Sequence, residues 1–495
     1  MICRKCILIL LVLNSMSMEA QNYDNQWIFG YGNDEAERFG FTVLDFNTDT
    51  VTSSYAFGSD SIAVGVSGSF SNSVDGQLKY ITNHCYVYDN VLENLTSDQV
   101  MTATGLSYDG CKSTIFQDYQ AYSSVIILPD LIDDNLTYIL HKDFIVEFIG
   151  PEFYTQDFWF STIRETGEET VFERKYTINQ EQLISLGLTA VPNHDMTRWW
   201  IVLARNYSNI FEVYSIGQDS AYLHHTDTLG VEIDSRQTQI GQAQFSPDAS
   251  MFAMNTEEYG VLLYDFNNED GSLSNFRQIE YPYSEDLAKG LCFSPDNSKI
   301  YVNSAEHLRQ IDLNNNNLVD LIRKYTSAGS DGWPIGIGHM YLGPDCRIYV
   351  SPGSSTYYMH TIDSPNEAGQ ACGFSPERLV LPTRMPHHLP NIPQFRYING
   401  CDSTIVLPEI VTFTEEVDAD VETFRIYPNP VADFLTIDQL NDGENQVRIF
   451  DQVGRLLQYL EQYGDQISID VGSLQAGMYF VKVNDKARIQ KFIKI

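Results

Sequence analysis

Basic residues are scarce in this sequence. Its 495 residues include 30 Lys plus Arg against 66 Asp plus Glu, and the formal net charge is −36. Nucleic-acid binding depends on Lys and Arg that neutralise the phosphate backbone, so this balance argues against nucleic acid as a partner. The acidic excess is typical of a solvated surface that keeps an exported protein soluble, and any cation site has to be argued from local motifs.

Long apolar runs are also rare. One run, CILILLVL at residues 6–13, follows Arg4 and Lys5 and precedes the small residue Ala20. A basic start, a short apolar core and a small residue at the cleavage point predict a signal peptide at residues 1–20. A spanning helix needs about 20 apolar residues. We therefore expect export, and no transmembrane segment in the mature chain.

Cysteines are few, and none lies in a CxxC or zinc-like cluster. An exported chain with an even number of cysteines is expected to use them in structural disulfides or as buried thiols rather than in metal or redox chemistry. Because each pair brackets a short segment, we predict disulfides between Cys85 and Cys111 and between Cys372 and Cys401. After the signal peptide the sequence retains Cys85, Cys111, Cys292, Cys346, Cys372 and Cys401.

Common enzyme signatures are absent as well. The sequence contains no HExxH, no GxSxG and no phosphate-binding glycine loop. Paired carboxylates of a glycosidase are defined by their separation in space, and acidic residues are plentiful here. The sequence therefore leans towards a non-catalytic protein but leaves the question of an enzyme open.

A repeated segment is the main feature that is present. Residues 245–267 (FSPDASMFAMNTEEYGVLLYDFN) return as residues 293–314, and a weaker copy begins at Leu342, so the steps are 48 and 49 residues. In each copy a Pro-Asp turn precedes an alternating apolar strand, and a second strand ends in Asp. A period of this size in an all-β pattern predicts a β-propeller, in which each repeat is one four-stranded blade.

Hairpins of the same kind divide residues 21–401 into seven units. We predict a seven-bladed propeller in this range, and six or eight blades remain open because the first third diverges from the repeat. The marks that define the units are Asp45, Asp89, Arg164, Ser215, Asp265, Asp312 and Asp363.

The composition changes after residue 401. Residues 402–422 hold seven acidic residues and no basic one, which predicts an acidic linker. Residues 423–495 hold eight Lys plus Arg against nine Asp plus Glu, arranged as short alternating strands between turns. This pattern predicts a second domain, a small β-sandwich.

Four ordered motifs cover this second domain: IYPNP at 426–430, VRIFDQVGRLL at 447–457, LQAGMYFVKV at 474–483 and KFIK at 491–494. Together they resemble the type A C-terminal sorting domain of the type IX secretion system. The resemblance implies partners in the secretion translocon and the sorting machinery, and a secreted or outer-surface location. It implies no catalytic residue in the tail. Whether the tail is cleaved, and whether the protein is then anchored or released, stays open.

Particular residues of the tail are expected to carry this signal. Pro428 and Pro430 are expected to hold the chain extended, and Gly454 and Gly477 to occupy turns that a side chain would crowd. The residues of the expected sorting signal are Tyr427, Pro428, Asn429, Pro430, Gly454, Gly477, Tyr479, Lys491 and Lys494.

The repeat region also resembles the secreted, WD-repeat-like propellers that carry this kind of tail. The shared segments are FSPD at 245–248, YDF at 264–266, GPDCRIYV at 343–350 and IDSPNEAGQAC at 362–372. One residue departs from the pattern, because Cys346 stands where those proteins usually have Gly. The resemblance implies the fold and the location, and no particular activity.

Two stretches resemble the start of a calcium loop, Asp312–Asp320 and Asp265–Gly271. Counting from Asp312, Asn317 and Arg323 stand where such a loop needs Gly and Glu. Both stretches lie where the repeat requires a hairpin turn, which Asn, Asp and Gly form unaided. We expect no cofactor, and calcium is the alternative.

Histidine clusters provide the other metal-like candidates. His224 and His225 lie near Asp227, and His387 is followed by His388. Because adjacent residues of a strand point to opposite faces, neither pair is expected to hold one ion.

An aromatic cluster, Trp199, Trp200 and Tyr214, could stack on a sugar, although at least one Trp is expected in the core. The sequence as a whole favours an adhesion or binding module for a surface glycan or protein. The alternative is an extracellular propeller glycosidase or lyase acting on polysaccharide, and a funnel lined by convergent carboxylates would distinguish it.

Overall fold

Strands and turns make up nearly all of the structure, a computed structural model. Helix is limited among the described residues to α1 (Arg396–Asn399) and a 3-10 turn at Gly369–Cys372. The chain divides into two units, Met1–Leu407 and Pro408–Ile495. The described residues are 22–31, 40–57, 68–83, 85–90, 94–96, 124–147, 152–167, 169–179, 181–184, 187–234, 240–281, 288–304, 307–315, 317–322, 327–328, 334–386, 388–408, 424–438, 440, 443–451, 456–484 and 490–495.

Seven antiparallel sheets of three or more strands follow one another in the described part of the first unit, and each is built from strands consecutive in sequence. Blade 1 contains β1 (Gln26–Tyr31), β2 (Gly40–Asp45) and β3 (Thr52–Phe57), and blade 2 contains β4 (Gly68–Ser71), β5 (Leu78–Thr82) and β6 (Val87–Asp89). Blade 3 contains β7 (Val125–Pro129), β8 (Leu136–Glu147), β9 (Glu152–Glu165) and β10 (Thr170–Thr177), with β11 (Leu183–Ile184) paired to β9.

The remaining blades each have four strands. Blade 4 contains β12 (Ala190–Pro192), β13 (Trp199–Ala204), β14 (Ser208–Ile216) and β15 (Ala221–Ile233). Blade 5 contains β16 (Ile240–Phe245), β17 (Met251–Thr256), β18 (Gly260–Phe266) and β19 (Leu273–Ile279). Blade 6 contains β20 (Ala288–Phe293), β21 (Lys299–Ser304), β22 (Leu308–Asp312) and β23 (Asn317–Ile322). A ribbon of β24 (Ser327–Ala328) and β25 (Pro334–Ile335) precedes blade 7, which contains β26 (Met340–Leu342), β27 (Ile348–Val350), β28 (Thr356–Ile362) and β29 (Phe374–Met385).

The blades form a closed ring. First strands of successive blades pack together, β1 with β4, β4 with β7, β12 with β16, β16 with β20 and β20 with β26. Blade 7 meets blade 1, because the rings of Trp27 and Tyr349 lie 5.3 Å apart and the hydroxyls of Thr42 and Thr383 are hydrogen-bonded at 2.7 Å. The predicted propeller of seven blades is confirmed.

The repeated FSPD segment has a defined structural role. The hydroxyl of Ser246 accepts the Met251 N–H at 2.9 Å, and that of Ser294 accepts the Lys299 N–H at 3.0 Å, so each Ser closes the turn between two strands. The residue after Asp in each turn has positive φ: 55° at Ala249, 59° at Asn297 and 66° at Cys346. Glycine adopts this conformation without strain, which explains why the related propellers usually have Gly where this chain has Cys346.

The last part of the first unit, residues 388–407, returns to blade 1; we call it the closing segment. Val51 N–H donates to the Val406 carbonyl at 2.9 Å, and Val406 N–H donates to the Asp49 carbonyl at 2.9 Å. The first unit therefore ends at Leu407, beyond the boundary at residue 401 expected from composition. Most of the expected linker, residues 409–422, lies outside the described residues.

Cysteine pairing differs from the prediction. Cys346 forms a disulfide with Cys401, so the predicted pair of Cys372 and Cys401 is wrong. Cys372 and Cys292 are buried free thiols. The physical reason is the path of the closing segment, which brings Cys401 beside the turn of blade 7 that holds Cys346.

Cys85 is disulfide-bonded, as expected for one member of the other predicted pair. Its predicted partner, Cys111, lies outside the described residues.

The second unit is a two-layer β-sandwich. One sheet has the order β30 (Arg425–Tyr427), β31 (Phe434–Asp438), β34 (Gln466–Asp470). The other has the order β33 (Leu456–Tyr463), β32 (Glu444–Asp451), β35 (Gly477–Val483), β36 (Gln490–Lys494). Their strands alternate buried and exposed residues, as expected for sheets with one face in the core. Members of the core include Leu435, Ile437, Val447, Ile449, Ile469, Val481 and Phe492.

Candidate functional sites

The closing segment fills the centre of the ring. The side-chain amide of Asn391 donates to the carbonyls of Val125 and Leu188, both at 3.0 Å, and that of Gln394 donates to the carbonyl of Phe245 at 2.8 Å. These carbonyls belong to blades 3, 4 and 5, at or next to their first strands. The apolar side chains of Leu389, Ile392 and Phe395 in the same segment are buried. The chain itself therefore occupies the place where many propellers have a channel.

A buried ion pair anchors the closing segment. The guanidinium of Arg396 donates to a carboxylate oxygen of Asp24, and their side chains are 5% and 3% exposed. Burial raises the pKa of Asp24, and the charge of Arg396 opposes that shift. A cavity of about 10 Å³ lies beside the pair, which is room for about one water molecule. This junction holds the ring together and has no room for a sugar.

Two other buried carboxylates of the ring, Asp345 and Glu212, have basic partners. Asp345 accepts hydrogen bonds from Arg347 at 3.0 Å and from the hydroxyl of Tyr349 at 2.8 Å. Glu212 pairs with Arg205 at 2.6 Å. In the part of the chain that the structure describes, no group of three or more His, Cys, Asp or Glu could hold a metal ion.

The two calcium-like stretches form hairpin turns. Asp312 accepts the N–H of Asn314 at 2.9 Å, and Asp320 pairs with Arg309 at 3.1 Å. In the other stretch, Asp270 accepts hydrogen bonds from Ser272, which lower its pKa. The carboxylates that a cation would need thus already accept hydrogen bonds or form an ion pair within these hairpins.

The aromatic cluster is part of the core. Trp199, Trp200 and Tyr214 are at most 4% exposed. The indole N–H of Trp199 donates to a backbone carbonyl of blade 3 at 2.7 Å, and that of Trp200 to one of blade 5 at 3.1 Å. The idea that they form a sugar platform is wrong, because all three face blade interfaces.

Two other tyrosines form an exposed edge between blades 3 and 4. Tyr176 and Tyr222 are 42% and 43% exposed. The hydroxyl of Tyr176 bonds to both backbone groups of Ala221, the residue before Tyr222. The guanidinium of Arg198 lies 5.4 Å from the ring centroid of Tyr222. Sequence reasoning missed this edge, because single tyrosines in strands carry no signal of their exposure.

His224 and His225 do not point to opposite faces, contrary to expectation. The pairing of β14 with β15 passes from Val213 opposite His225 to Tyr214 opposite Leu223, so His224 is the extra residue of a β-bulge. As a result the Nδ1 atoms of His224 and His225 lie 2.9 Å apart. Alternation along a strand fails at a bulge, and nothing in the sequence marks this one.

The surroundings of the pair come from blades 4 and 5. Nε2 of His225 lies 3.2 Å from Asp227, whose carboxylate also accepts the Leu273 N–H at 2.8 Å. Burial and the neighbouring His225 lower the pKa of His224, and Asp270 opposes them. Of the second predicted pair, His387 lies outside the described residues, and buried His388 has its ring 6.4 Å from that of His339.

The sorting-signal residues join the two ends of the second unit. The side-chain amide of Asn429 donates to the Lys491 carbonyl at 3.0 Å, and its oxygen accepts the Ile493 N–H at 2.8 Å. Next to it, Val431 N–H donates to the Ile493 carbonyl at 2.7 Å. The first and last motifs, far apart in sequence, therefore form one structural element.

The other residues of the signal differ in their surroundings. Residues 428–430 bend the chain, so the expected extended conformation is not found there. A Cβ at Gly477 would meet nothing closer than 3.7 Å, so this glycine is not crowded. Tyr479 stacks on Phe492 and donates to the carbonyl of Gln475 at 2.9 Å. Gly454 lies outside the described residues.

Two further residues complete the set. Tyr427 is 44% exposed and accepts a hydrogen bond from Gln466 at 2.7 Å. Lys494 is 8% exposed, whereas Lys491 is exposed.

Residues 425–495 match the family described as the secretion system C-terminal sorting domain. This domain marks proteins that are secreted and attached to the cell surface, so the chain is cargo of the type IX secretion machinery. In the described part of the chain, no helix is long and apolar enough to cross a membrane. No curated protein matches the sequence.

Several solved structures are similar at low identity. The β-propeller domain of Cps50 (Swd1) from Myceliophteria thermophila is 8% identical over 65% of this chain and 92% of its own, with a TM-score of 0.37. A putative 6-phosphogluconolactonase from Bacteroides uniformis is 12% identical over 90% of this chain and 100% of its own, with a TM-score of 0.36. A putative 6-phosphogluconolactonase from Bacteroides fragilis is 12% identical over 90% of this chain and 99% of its own, with a TM-score of 0.35. Similarity at this level carries no argument about activity.

Proposed function

We propose that this protein is a non-catalytic binding or adhesion module that the type IX secretion machinery delivers to the cell surface. The observation that carries the proposal is the filled centre of the ring, where Asn391 and Gln394 of the closing segment bond to the first strands or their flanks. A glycosidase or lyase needs an open cleft with paired carboxylates. At this centre the carboxylate of Asp24 is instead neutralised by Arg396.

The exposed edge of Tyr176 and Tyr222 supports binding at the side of the ring. Tyrosine offers a rigid face for stacking on a sugar or a protein side chain, and Arg198 next to it adds a donor of hydrogen bonds. The ligand class we infer is a surface glycan or protein.

We infer the route to the surface from the signal peptide, the linker and the sorting domain. Residues 1–20 act as the signal peptide and residues 409–422 as a linker, and both lie outside the described residues. We infer that the machinery handles the element formed by Asn429, Lys491 and Ile493, together with the exposed Tyr427.

The test is an array of surface glycans and proteins probed with the mature chain, residues 21–495. Binding to a defined ligand is expected, with at least about tenfold weaker binding in the double variant Tyr176→Ser, Tyr222→Ser. Tyr55→Ser, at an equally exposed tyrosine of blade 1, is the matched control and should bind normally. Hydrolysis or elimination of a bound polysaccharide would favour the alternative, an extracellular enzyme.

A further inference from the structure

The histidine pair of blade 4 has the geometry of a chelate. Its two Nδ1 atoms are hydrogen-bonded to each other at 2.9 Å, and a metal ion would replace the proton between them. Imidazole nitrogen binds metals at about 2.0–2.1 Å, and two such bonds at a right angle place their nitrogens about 2.9 Å apart. A tetrahedral ion would need about 3.3 Å with the same bond lengths. The spacing therefore fits neighbouring positions of a square-planar or octahedral ion.

The hydrogen bond of His225 to Asp227 also fits a metal-binding site. Its Nε2 lies 3.2 Å from Asp227, and that carboxylate is fixed by the backbone N–H of Leu273 at 2.8 Å. Metal-binding histidines commonly donate their second N–H to a carboxylate, which fixes the tautomer and directs the other nitrogen to the metal. Here the hydrogen bond to Asp227 leaves Nδ1 of His225 as the atom with a lone pair, facing His224.

The site is accessible and lies in a negative field. His224 is exposed and the side chain of His225 is 27% exposed, so an ion could reach both from solvent. The carboxylate of Asp270 from blade 5 is near enough to influence both imidazoles. Arg198 is the opposing charge near His224. The net charge of the chain, −36, attracts cations overall.

We propose that His224 and His225 chelate a divalent transition-metal ion, with water in the remaining positions. Imidazole ligands at a right angle are typical of Cu²⁺ and Ni²⁺ sites, and Cu²⁺ binds most tightly among the divalent first-row ions. Asp227 acts as the positioning residue through its hydrogen bond to His225. The site lies beside the proposed binding edge, because the rings of His224 and Tyr222 are 6.3 Å apart and Arg198 is close to both. Its two ligands are not among the residues of that edge, so metal binding and ligand binding can be tested separately.

The test is titration of the mature chain with Cu²⁺ in the presence of excess Mg²⁺, which occupies oxygen-rich surface sites. One equivalent should bind, with nitrogen hyperfine splitting from two imidazoles in the electron paramagnetic resonance spectrum. Ni²⁺ should compete for this equivalent. His224→Ala and His225→Ala should each weaken binding at least tenfold and remove the two-nitrogen signal, and Asp227→Asn should weaken binding about tenfold while keeping that signal.

His307→Ala, at a partly buried histidine of blade 6, is the matched control and should leave binding unchanged. Circular dichroism checks the fold of each variant, and because His224 is exposed its removal should not unfold the blade. Unchanged Cu²⁺ affinity in both His224→Ala and His225→Ala, or a spectrum with oxygen ligands only, would overturn the proposal.

Discussion

At the scale of single residues, the pair of Asp24 and Arg396 joins the first described residues to the last part of the ring. Both side chains are almost fully buried. Removing one partner of such a pair leaves an uncompensated charge in a medium that solvates it poorly. The ion pair thus fixes where the closing segment crosses the ring, whatever its net contribution to stability.

Arg396→Met is expected to lower the free energy of unfolding by about 3–5 kcal/mol, because Asp24 is left buried without its partner. The double variant Asp24→Asn, Arg396→Met should lose less than the sum of the two single variants. Denaturation followed by circular dichroism measures both. The control is Arg277→Met, which breaks the more exposed pair with Asp265 and should cost less than about 1 kcal/mol. Equal losses for the two arginines would contradict the argument.

A buried histidine links stability to pH in blade 7. Nε2 of His360 bonds to the Gly336 carbonyl at 2.8 Å, and Nδ1 accepts the Glu377 N–H at 2.8 Å, so the neutral ring satisfies both nitrogens. Burial lowers the pKa of His360 to about 4. Because this pKa is below that of the unfolded chain, about 6.5, the unfolded state binds more protons between these values.

Stability should therefore fall as the pH falls from about 6.5 to 4, by about 1.4 kcal/mol per pH unit from this group. His360→Gln has no titrating ring at this position, and its stability should depend less steeply on pH in that window. Melting temperatures over a pH series compare the slopes, and His307→Gln in blade 6 is the control for replacing a histidine elsewhere in the ring. Parallel curves for His360→Gln and the parent would contradict the assignment.

At the scale of elements, the last strand of the sorting domain is tied to the first motif by one side chain. Asn429 makes two hydrogen bonds to the backbone of β36. Phe492 between these contacts is fully buried, so the strand is held both by polar groups and by the core. The element on which sorting is inferred to depend is thus sensitive to a single residue.

Asn429→Ala is expected to destabilise the sorting domain by about 1 kcal/mol, since it removes two hydrogen bonds at an exposed site. Export of the protein to the surface should decrease with it. Surface labelling and melting curves measure the two effects. Gln462→Ala, at an exposed residue of β33, is the control and should be exported as the parent is. Normal export of Asn429→Ala, although its sorting domain is destabilised, would contradict the expected link between the stability of this domain and its recognition by the secretion machinery.

At the scale of the whole molecule, the ring is closed by the disulfide between Cys346 and Cys401 and by the contacts of residues 402–407 with blade 1. The two cysteines are 55 residues apart in sequence, so the bond restricts a long stretch of the unfolded chain. Cys346 has the positive φ that this turn position has in each copy of the repeat. The disulfide with Cys401 offsets the conformational cost of a residue other than glycine at position 346.

Replacing both cysteines, as Cys346→Ala with Cys401→Ala, should cost about 2–4 kcal/mol. The variant Cys346→Gly with Cys401→Ala should recover about 1 kcal/mol of this loss, because Gly adopts the positive φ without strain. Melting curves under non-reducing conditions compare the three proteins. Equal stability of the Ala and Gly variants would show that the backbone at position 346 relaxes once the bond is absent.

The sequence by itself determined the repeating architecture and the sorting domain. FSPD turns, alternating strands and ordered tail motifs are local patterns, and each copy repeats the same hydrogen bonds, such as those of Ser246 and Ser294. Such patterns act over a few residues, so they can be read without coordinates. The composition placed the domain boundary only roughly, because the acidic stretch begins at Asp402 although the ring continues to Leu407 and Val406 pairs with blade 1.

The tertiary structure alone decided the partner of Cys401, the filling of the ring centre, the burial of Trp199, Trp200 and Tyr214, and the approach of His224 to His225. Each depends on which distant segments meet or on one bulge in the register of β14 and β15. A sequence pattern fixes the period of a strand but not an inserted residue within it, nor the path of a chain across the ring, because these are set by packing against residues far away in sequence.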